Sequence, residues 1–402
     1  LGFQLIELQD HGNAGFCCGG GGGVVSIDRA APLRHKVFEL KRQQIDAAGG
    51  WIDFARFMDL ALYTPGLGYY SAGAAKFGSA GDFITAPELT PLFGQALAQQ
   101  LAEVLPHTAG NILEFGAGSG KLALDILQEL ERLGSLPKRY YILDVSADLR
   151  ERQWQRFQQH GIHLLQYVEW IDRLPEQFSG IMLGNEVLDA MPAHLITLDQ
   201  QGWQQRGVCT TDNGFAWADA PIDNPQLQHI CQTLDVAPPY LSEVSLANRA
   251  FIRTLAQHLQ QGLILLIDYG FGASEYYHPQ RNQGTLMCHY RHHSHGEPFF
   301  LPGLQDITVH VDFSAIAQTA IDDGLDLHGY TTQSHFLLNS GISDLLQRLN
   351  PEDIKTYLPQ TKAVQKLMNI EEMGELFKVI GLSRKLDIEL RGFAGGDRSR
   401  ML

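Results

Sequence analysis

Cysteine is scarce, with five in 402 residues. Cys17 and Cys18 are adjacent and Cys209, Cys231 and Cys288 are scattered. Neither a disulfide framework nor a zinc spacing emerges, and a reducing compartment is the default. Long apolar runs are missing too. The most apolar local stretch, Leu263–Ile267, falls far short of the ~20 residues a spanning helix needs. The opening LGFQLIELQDHG has no basic region followed by an apolar stretch, so no secretory signal is expected there. Basic residues are outnumbered: 30 Lys and Arg against 45 Asp and Glu leave a formal net charge of −15. A surface of that sign repels nucleic-acid backbones and anionic membranes, so neither is expected as a partner. Internal repeats are absent. The 44% of hydrophobic and 19% of charged residues suffice for a large buried core and exclude global disorder.

Residues 1–49 differ from the rest. The tract FCCGGGGG, Phe16–Gly23, is one no helix or strand tolerates. It resembles the cysteine-rich CCG domain of iron–sulfur subunits, but the further cysteines such a cluster requires are missing. Residues 1–49 are therefore read as a remnant without a working cluster, and residues 50–402 as the functional domain. From Trp51, WIDFARFMDLALY places Ile52, Phe54, Phe57, Leu60 and Ala61 at helical spacing. A second amphipathic helix opens near Pro91 and runs to Leu105. Strand and helix then alternate: NILEFG, a helix over Lys121–Leu133, RYYILDV, a helix over Leu149–Gln159, and GIMLGNEV. Such alternation predicts a parallel sheet with crossover helices. Short strands with turns at Gln201-Gly202 and Asn213-Gly214 interrupt it over His194–Ala218, an inserted hairpin region within about 193–240. The pattern resumes with a helix over Leu246–Gln260 and with LILLIDYG. The polar segment Gly272–Gly303 reads as a lid or binding loop. The last part, about 331–390, reads as helical.

The central motif is Glu114-Phe115-Gly116-Ala117-Gly118-Ser119-Gly120, where an apolar strand turns into a helix. Glycines there permit positive φ and a close approach of ligand to backbone. A Walker A loop is excluded because Leu122 follows Lys121 where Ser or Thr is needed. A dinucleotide fingerprint needs Gly or Ala where Lys121 stands. The E/D-x-G-x-G-x-G turn of class I methyltransferases is matched at every position; a glycine turn without a ligand is the alternative. Asp144 closes the next strand, where a carboxylate accepts both hydroxyls of a ribose. Ser146 is the better cap for the following helix, which leaves Asp144 for the ligand. In GNEVLDAMP, Asn185, Glu186 and Asp189 stand at the carboxyl end of a predicted neighbouring strand. Two carboxylates four residues apart or closer suit a guanidinium; helix capping by Asp189 is the competing reading. His289, His292, His293 and His295 match no zinc spacing, and no metal is expected.

Taken in order, GDFITAPELTPLFG, LEFGAGSGKLALDIL, GNEVLDAMPAHL, LSEVS, LLIDYGF, GTLMCHYRHH and PGLQDITVHVDF resemble the MidA/NDUFAF7 family over about residues 50–390. The resemblance implies an α/β fold: a class I methyltransferase Rossmann-like sheet with helices on both faces, an inserted β-hairpin region and a helical C-terminal part. It implies S-adenosyl-L-methionine as cofactor. That cofactor would be held by Glu114, Gly116, Ala117, Gly118, Ser119, Gly120 and Asp144 and covered by the hallmark segment Gly81–Glu88 with Asp82 and Thr85. Asn185, Glu186 and Asp189 form the catalytic edge by the same implication. The family's mitochondrial member is a protein arginine methyltransferase acting on the 49-kDa-type subunit of respiratory complex I, so a protein substrate of that kind and a homodimer are the expected partners. Location would be the cytoplasm of a bacterium or the mitochondrial matrix of a eukaryote. A different acceptor, or an assembly chaperone that binds the cofactor without catalysis, are the rival readings, since fold does not choose function.

Overall fold

From Asn111 onward, runs rich in Ile, Leu and Tyr form strands because both of their faces are covered by helices. The computed structural model describes residues 38–70, 85–144, 146–212, 214–291 and 293–402. Its main sheet has eight strands. Seven form the path: β1 (Asn111–Phe115), β2 (Arg139–Leu143), β3 (Val168–Ile171), β4 (Phe178–Asn185), β5 (Leu259–Phe271), β6 (Asp326–Thr332) and β7 (Phe377–Arg384), in the spatial order β6-β7-β5-β4-β1-β2-β3. The two-residue Val311–Asp312 pairs with the end of β5. Every pairing among β1 to β5 is parallel, whereas β7 runs antiparallel to both β5 and β6. The chain winds from β1 outward through β2 and β3, then returns to the other side of β1 as β4. That reversal opens a crevice at the carboxyl ends of β1 and β4, the usual ligand position in open α/β sheets.

Alternate residues of each strand feed two cores. Leu263, Leu265 and Ile267 of β5 face one, with α1 (Pro91–Val104) and α2 (Lys121–Arg132) packed against it. Ile264 and Leu266 face the other, covered by Ile252 and Leu255 of α4 (Leu246–His258) and by Phe313 and Ile316 of α5 (Phe313–Asp322). The helix α3 (Ala147–His160) contributes Phe157 to the first core. Burial on both faces explains why LILLI is continuous rather than alternating.

The interrupting segment is larger than a hairpin. His194–Asp199, Gly202–Thr211 and Gly214–Pro221 form an antiparallel meander whose turns fall at the two sites marked by glycine. Trp51–Asp53 and Tyr240–Val244 complete a five-stranded sheet. The run beginning at Trp51 is thus a strand before it is a helix. Asp53 accepts a hydrogen bond from the Arg56 N–H at 2.9 Å and starts the helix Phe54–Tyr63. The C-terminal part has the helices Gln333–Asn339, Ile342–Gln347 and Ile354–Met368, but also contributes β7. Residues 272–303 are not a bare loop. They hold the short helix Ala273–Tyr276 and the strands Met287–Tyr290 and His293–His295, with Asp306–Thr308 as the third strand of a small sheet. The Glu243 carboxylate pins this segment, accepting from the Thr285 and Leu286 N–H groups at 2.7 and 3.0 Å. The cysteine pair and glycine tract of the N-terminal segment lie outside the described residues.

Candidate cofactor and acceptor cleft

Past Phe115 the chain turns through Gly116, Ala117, Gly118, Ser119 and Gly120 into α2. Gly116, Gly118 and Gly120 have φ of 61°, 54° and 77°, conformations that a Cβ disfavours. Gly120 caps α2 without a side-chain hydrogen bond of its own, while the Ser119 hydroxyl accepts from the Lys121 N–H at 3.4 Å; a helix start of this kind suits a polar or anionic ligand group. The loop borders a cleft of ≈ 390 Å³, within the range of small-molecule sites. Every described site residue predicted from the sequence lines this cleft except Gly120, which backs onto α3: a Cβ there would lie 3.0 Å from Gln153 Cγ. Asp82 lies outside the described residues.

Glu114 is buried and accepts the Tyr140 hydroxyl at 2.8 Å. Burial pushes its carboxyl up to about 8 against the opposing effect of that bond, and Asp144 adds to the rise. Asp144 follows β2. Ser146 caps α3 as expected, accepting from the Leu149 N–H. Asp144 is nevertheless not left idle, for its oxygens accept from the Ser146 N–H at 3.0 Å and from Gln153 Nε2 at 2.9 Å. These bonds orient Asp144, which also lines the cleft. Gln153 does more than hold Asp144. Its Nε2 also donates to the Gly118 carbonyl at 3.0 Å and its Oε1 accepts the Trp170 indole N–H at 2.8 Å. Fully buried, it ties the glycine loop to the end of β2. Thr85 precedes the short helix Ala86–Leu89, and Glu88 of that helix accepts the Ser119 hydroxyl.

At the other end of the cleft, β4 finishes on Asn185. Glu186 follows with φ of 53°, an uncommon conformation for a residue with a Cβ. Two features impose it. The Glu186 N–H donates to the Ile267 carbonyl at 2.8 Å. One oxygen of Asp268 accepts from the successive N–H groups of Val187, Leu188 and Asp189 at 3.1, 2.8 and 3.3 Å. Asn185 Nδ2 donates to Glu186 Oε1 at 2.9 Å, and the Tyr269 hydroxyl donates to Asp189 Oδ2 at 2.5 Å. Asn185 Oδ1 and Asp189 Oδ1 are buried with no hydrogen-bond partner. Burial raises the Glu186 carboxyl to about 8, with Asp189 reinforcing it, and raises Asp189 to about 6. Burial and the neighbouring carboxylates push Asp268 upward as well.

Residues 94–331, more than half of the chain, match the family described as "Putative S-adenosyl-L-methionine-dependent methyltransferase". The chain belongs to this family. A COG1565 superfamily member from Burkholderia thailandensis, crystallised with S-adenosyl-homocysteine bound, is 48% identical, with a TM-score of 0.90 over 93% of this chain and 98% of that one. A native structure of a COG1565 superfamily protein from the same organism is 47% identical, with a TM-score of 0.87. Among curated proteins, the chain is similar to the mitochondrial protein arginine methyltransferase NDUFAF7 homolog of Caenorhabditis elegans, 26% identical over 90% of this chain and 91% of that protein. It is also similar to human NDUFAF7, 28% identical over 87% of this chain and 82% of that protein. The protein is an S-adenosylmethionine-dependent methyltransferase of the MidA/NDUFAF7 group.

In this methyltransferase the sequence motifs converge on one cleft, but several of its parts were not singled out from sequence. Asp268 stands within LLIDYG near the carboxyl end of β5, an acidic residue close to a strand end as Glu186 is. Gln153 carries no motif signal; only the packing of α3 against the loop reveals it. Tyr63 and Tyr70 reach the cleft from the helix Phe54–Tyr63 and the turn beyond it, elements that precede the glycine motif. Among the described residues, no group of three His, Cys, Asp or Glu is placed to hold a metal ion, and no helix is long and apolar enough to cross a membrane.

Proposed function

We propose that this methyltransferase modifies an arginine side chain of a protein partner, with the 49-kDa-type subunit of respiratory complex I as the first candidate. One observation carries the reading: Asn185 Oδ1 and Asp189 Oδ1, buried and unpartnered, stand beside the Glu186 carboxylate at the end of the cleft. Both unpartnered oxygens are hydrogen-bond acceptors, and one Asn185 Nδ2 proton is already given to Glu186. A guanidinium only donates, and does so in a planar fork that carboxylates match. The names of the curated relatives support the same acceptor chemistry.

The glycine loop from Gly116 to Gly120, with Ala117 and Ser119, would hold the cofactor against the start of α2. Glu114 and Asp144 would face its polar groups, Asp144 the ribose hydroxyls, and Thr85 and Asp82 would cover it. Positive φ at the three glycines keeps Cβ atoms out of that space. S-adenosylmethionine supplies a methyl group on a positively charged sulfur. The acceptor nitrogen's lone pair forms the N–C bond as the S–C bond breaks, and the proton the nitrogen sheds goes to a cleft carboxylate. Glu186 and Asp189 hold the guanidinium and localise the reacting lone pair, so the protein contributes alignment and electrostatics. The test incubates the enzyme, methyl-labelled cofactor and the candidate subunit, with its arginines replaced one at a time. Label should vanish with one arginine; label that persists when all are replaced overturns the arginine assignment.

A further inference from the structure

Behind the acceptor end of the cleft stands a buried carboxylate that methyl transfer itself does not use. Asp306 opens the strand Asp306–Thr308 and is fully buried. The Tyr70 hydroxyl lies 3.0 Å from each of its oxygens, and the Ile307 N–H donates to it at 3.0 Å. Removing a carboxylate from water costs several kcal/mol before compensation, and the surrounding cluster, with Ile307 and Cys288, is apolar. What the arrangement achieves is to fix Tyr70. Tyr63 packs against it, with ring centroids 5.6 Å apart and planes 22° from parallel. The Tyr63 hydroxyl donates to the Ala190 carbonyl at 2.9 Å. Both tyrosines line the cleft beside Asp189.

The hydroxyl protons here are all committed inward: Tyr70 to Asp306, Tyr63 to Ala190, and Tyr269 to Asp189. Aromatic carbon and oxygen lone pairs remain for a ligand, together with the unpartnered Asp189 Oδ1 and Asn185 Oδ1. Burial first, then Asp306 and Asp189, push the Tyr70 phenol far above its ordinary value, so it stays neutral and takes no proton from the acceptor. A phenol whose proton is given to a carboxyl group behind it presents an electron-rich ring face, which favours a cation in front of it.

We propose that Tyr63 and Tyr70, locked by the Ala190 carbonyl and by Asp306, form an aromatic wall that recognises the cationic side chain of the acceptor. The assignment to guanidinium rests on the arginine reading above; the wall itself requires only a cation. Asp306 is a positioning residue in this scheme, acting through Tyr70.

The experiment measures binding of short peptides to the full chain saturated with S-adenosylhomocysteine. Three peptides differ at one central residue: arginine, lysine, or citrulline, the neutral shape-mimic of arginine. The arginine peptide should bind and the citrulline peptide should bind at least roughly tenfold more weakly, since it lacks the charge. Tyr63→Leu and Tyr70→Leu should each weaken the arginine peptide roughly two- to thirtyfold, the range of a cation over an aromatic ring. Tyr63→Phe should recover most of that loss, and S-adenosylhomocysteine affinity should hold throughout. Asp306→Asn should weaken the peptide but not S-adenosylhomocysteine. Leucine variants that bind the arginine peptide like wild type overturn the wall while sparing the arginine reading. Equal binding of citrulline, or no binding of either cation to wild type, also overturns it. Preference for lysine with the same leucine losses keeps the wall and removes the arginine assignment. Should Tyr70→Leu lose S-adenosylhomocysteine through misfolding, Tyr63→Leu decides.

Discussion

Glu186 combines two costs, a left-handed backbone and a carboxyl lifted to about 8 by burial and by Asp189. Both are understandable if a cation arrives to offset the charge. Glu186→Gln keeps the size and removes the charge. Methyl transfer should fall roughly ten- to hundredfold, the worth of a charged hydrogen bond, while cofactor affinity stays within about twofold; calorimetry and a labelled-methyl assay separate the two. The rate should rise with pH between about 6 and 8 as Asp189 and then Glu186 ionise. Stability runs the other way. Both carboxyls titrate higher in the folded chain than ordinary Asp and Glu side chains do, so the folded state binds more protons. Their contribution to stability is complete below the ordinary values and is lost as pH climbs through about 6 and then 8. Melting of the ligand-free protein at pH 5 and 8.5 should show the decline, and Glu186→Gln should flatten it. At the opposite end of the cleft, Gly118→Val places a branched side chain on a backbone with φ of 54°. It should abolish S-adenosylhomocysteine binding in a folded protein. These positions were legible in the sequence because backbone geometry restricts the loop to glycine and because strand ends present short acidic residues. Gln153 and Tyr70 were not, since their roles depend on which distant segment they meet.

Among the elements, α3 does the work of a clamp. Its Gln153 side chain is the described link between the Gly118 carbonyl, Asp144 and the indole of Trp170 on β3. Gln153→Leu fills similar space but leaves buried acceptors unpaired, at about 1–3 kcal/mol each. S-adenosylhomocysteine binding should weaken roughly five- to hundredfold, whereas acceptor-peptide affinity in the saturated protein should change little. An unchanged cofactor affinity would mean the clamp is ornamental. The parallel strands were readable because burial on both faces demands unbroken apolar runs. β7 was hidden for the opposite reason. Lys378, Gly381 and Arg384 interrupt FKVIGLSR, and the glycine is there because a Cβ would come within 2.9 Å of the Phe393 ring. The Trp51 run was half readable: its apolar spacing announced the helix, but the pairing of Trp51 with Cys209 needs a partner more than 150 residues away.

At the scale of the whole molecule, the described part of the N-terminal segment belongs to the body that follows it. Residues 38–47 are helical, Ile45 is fully buried in the cluster with Phe57, and Phe38 lies 4.7 Å from Phe215 between ring centroids. These contacts place residues 38–47 with the body that follows Gly49. A chain starting at Phe38 should keep its melting temperature and its cofactor affinity. One starting at Gly50 forfeits Ile45, a loss on the order of 2–5 kcal/mol for a buried aliphatic side chain, and should melt several degrees lower. Equal melting of the two would show that the contacts carry no stability. The antiparallel β7 has a bearing on how the protein is made. β5 holds Asp268 near its end, yet from Gly262 to Tyr269 it is paired on one side by a strand that begins at Phe377. On the ribosome, everything up to β6 emerges while that edge still offers unpaired N–H and C=O groups to any passing strand. The strand edge beside the candidate acceptor end of the cleft therefore waits for residues 377–384 to be synthesised, and until then it is a point at which the nascent protein is open to aggregation.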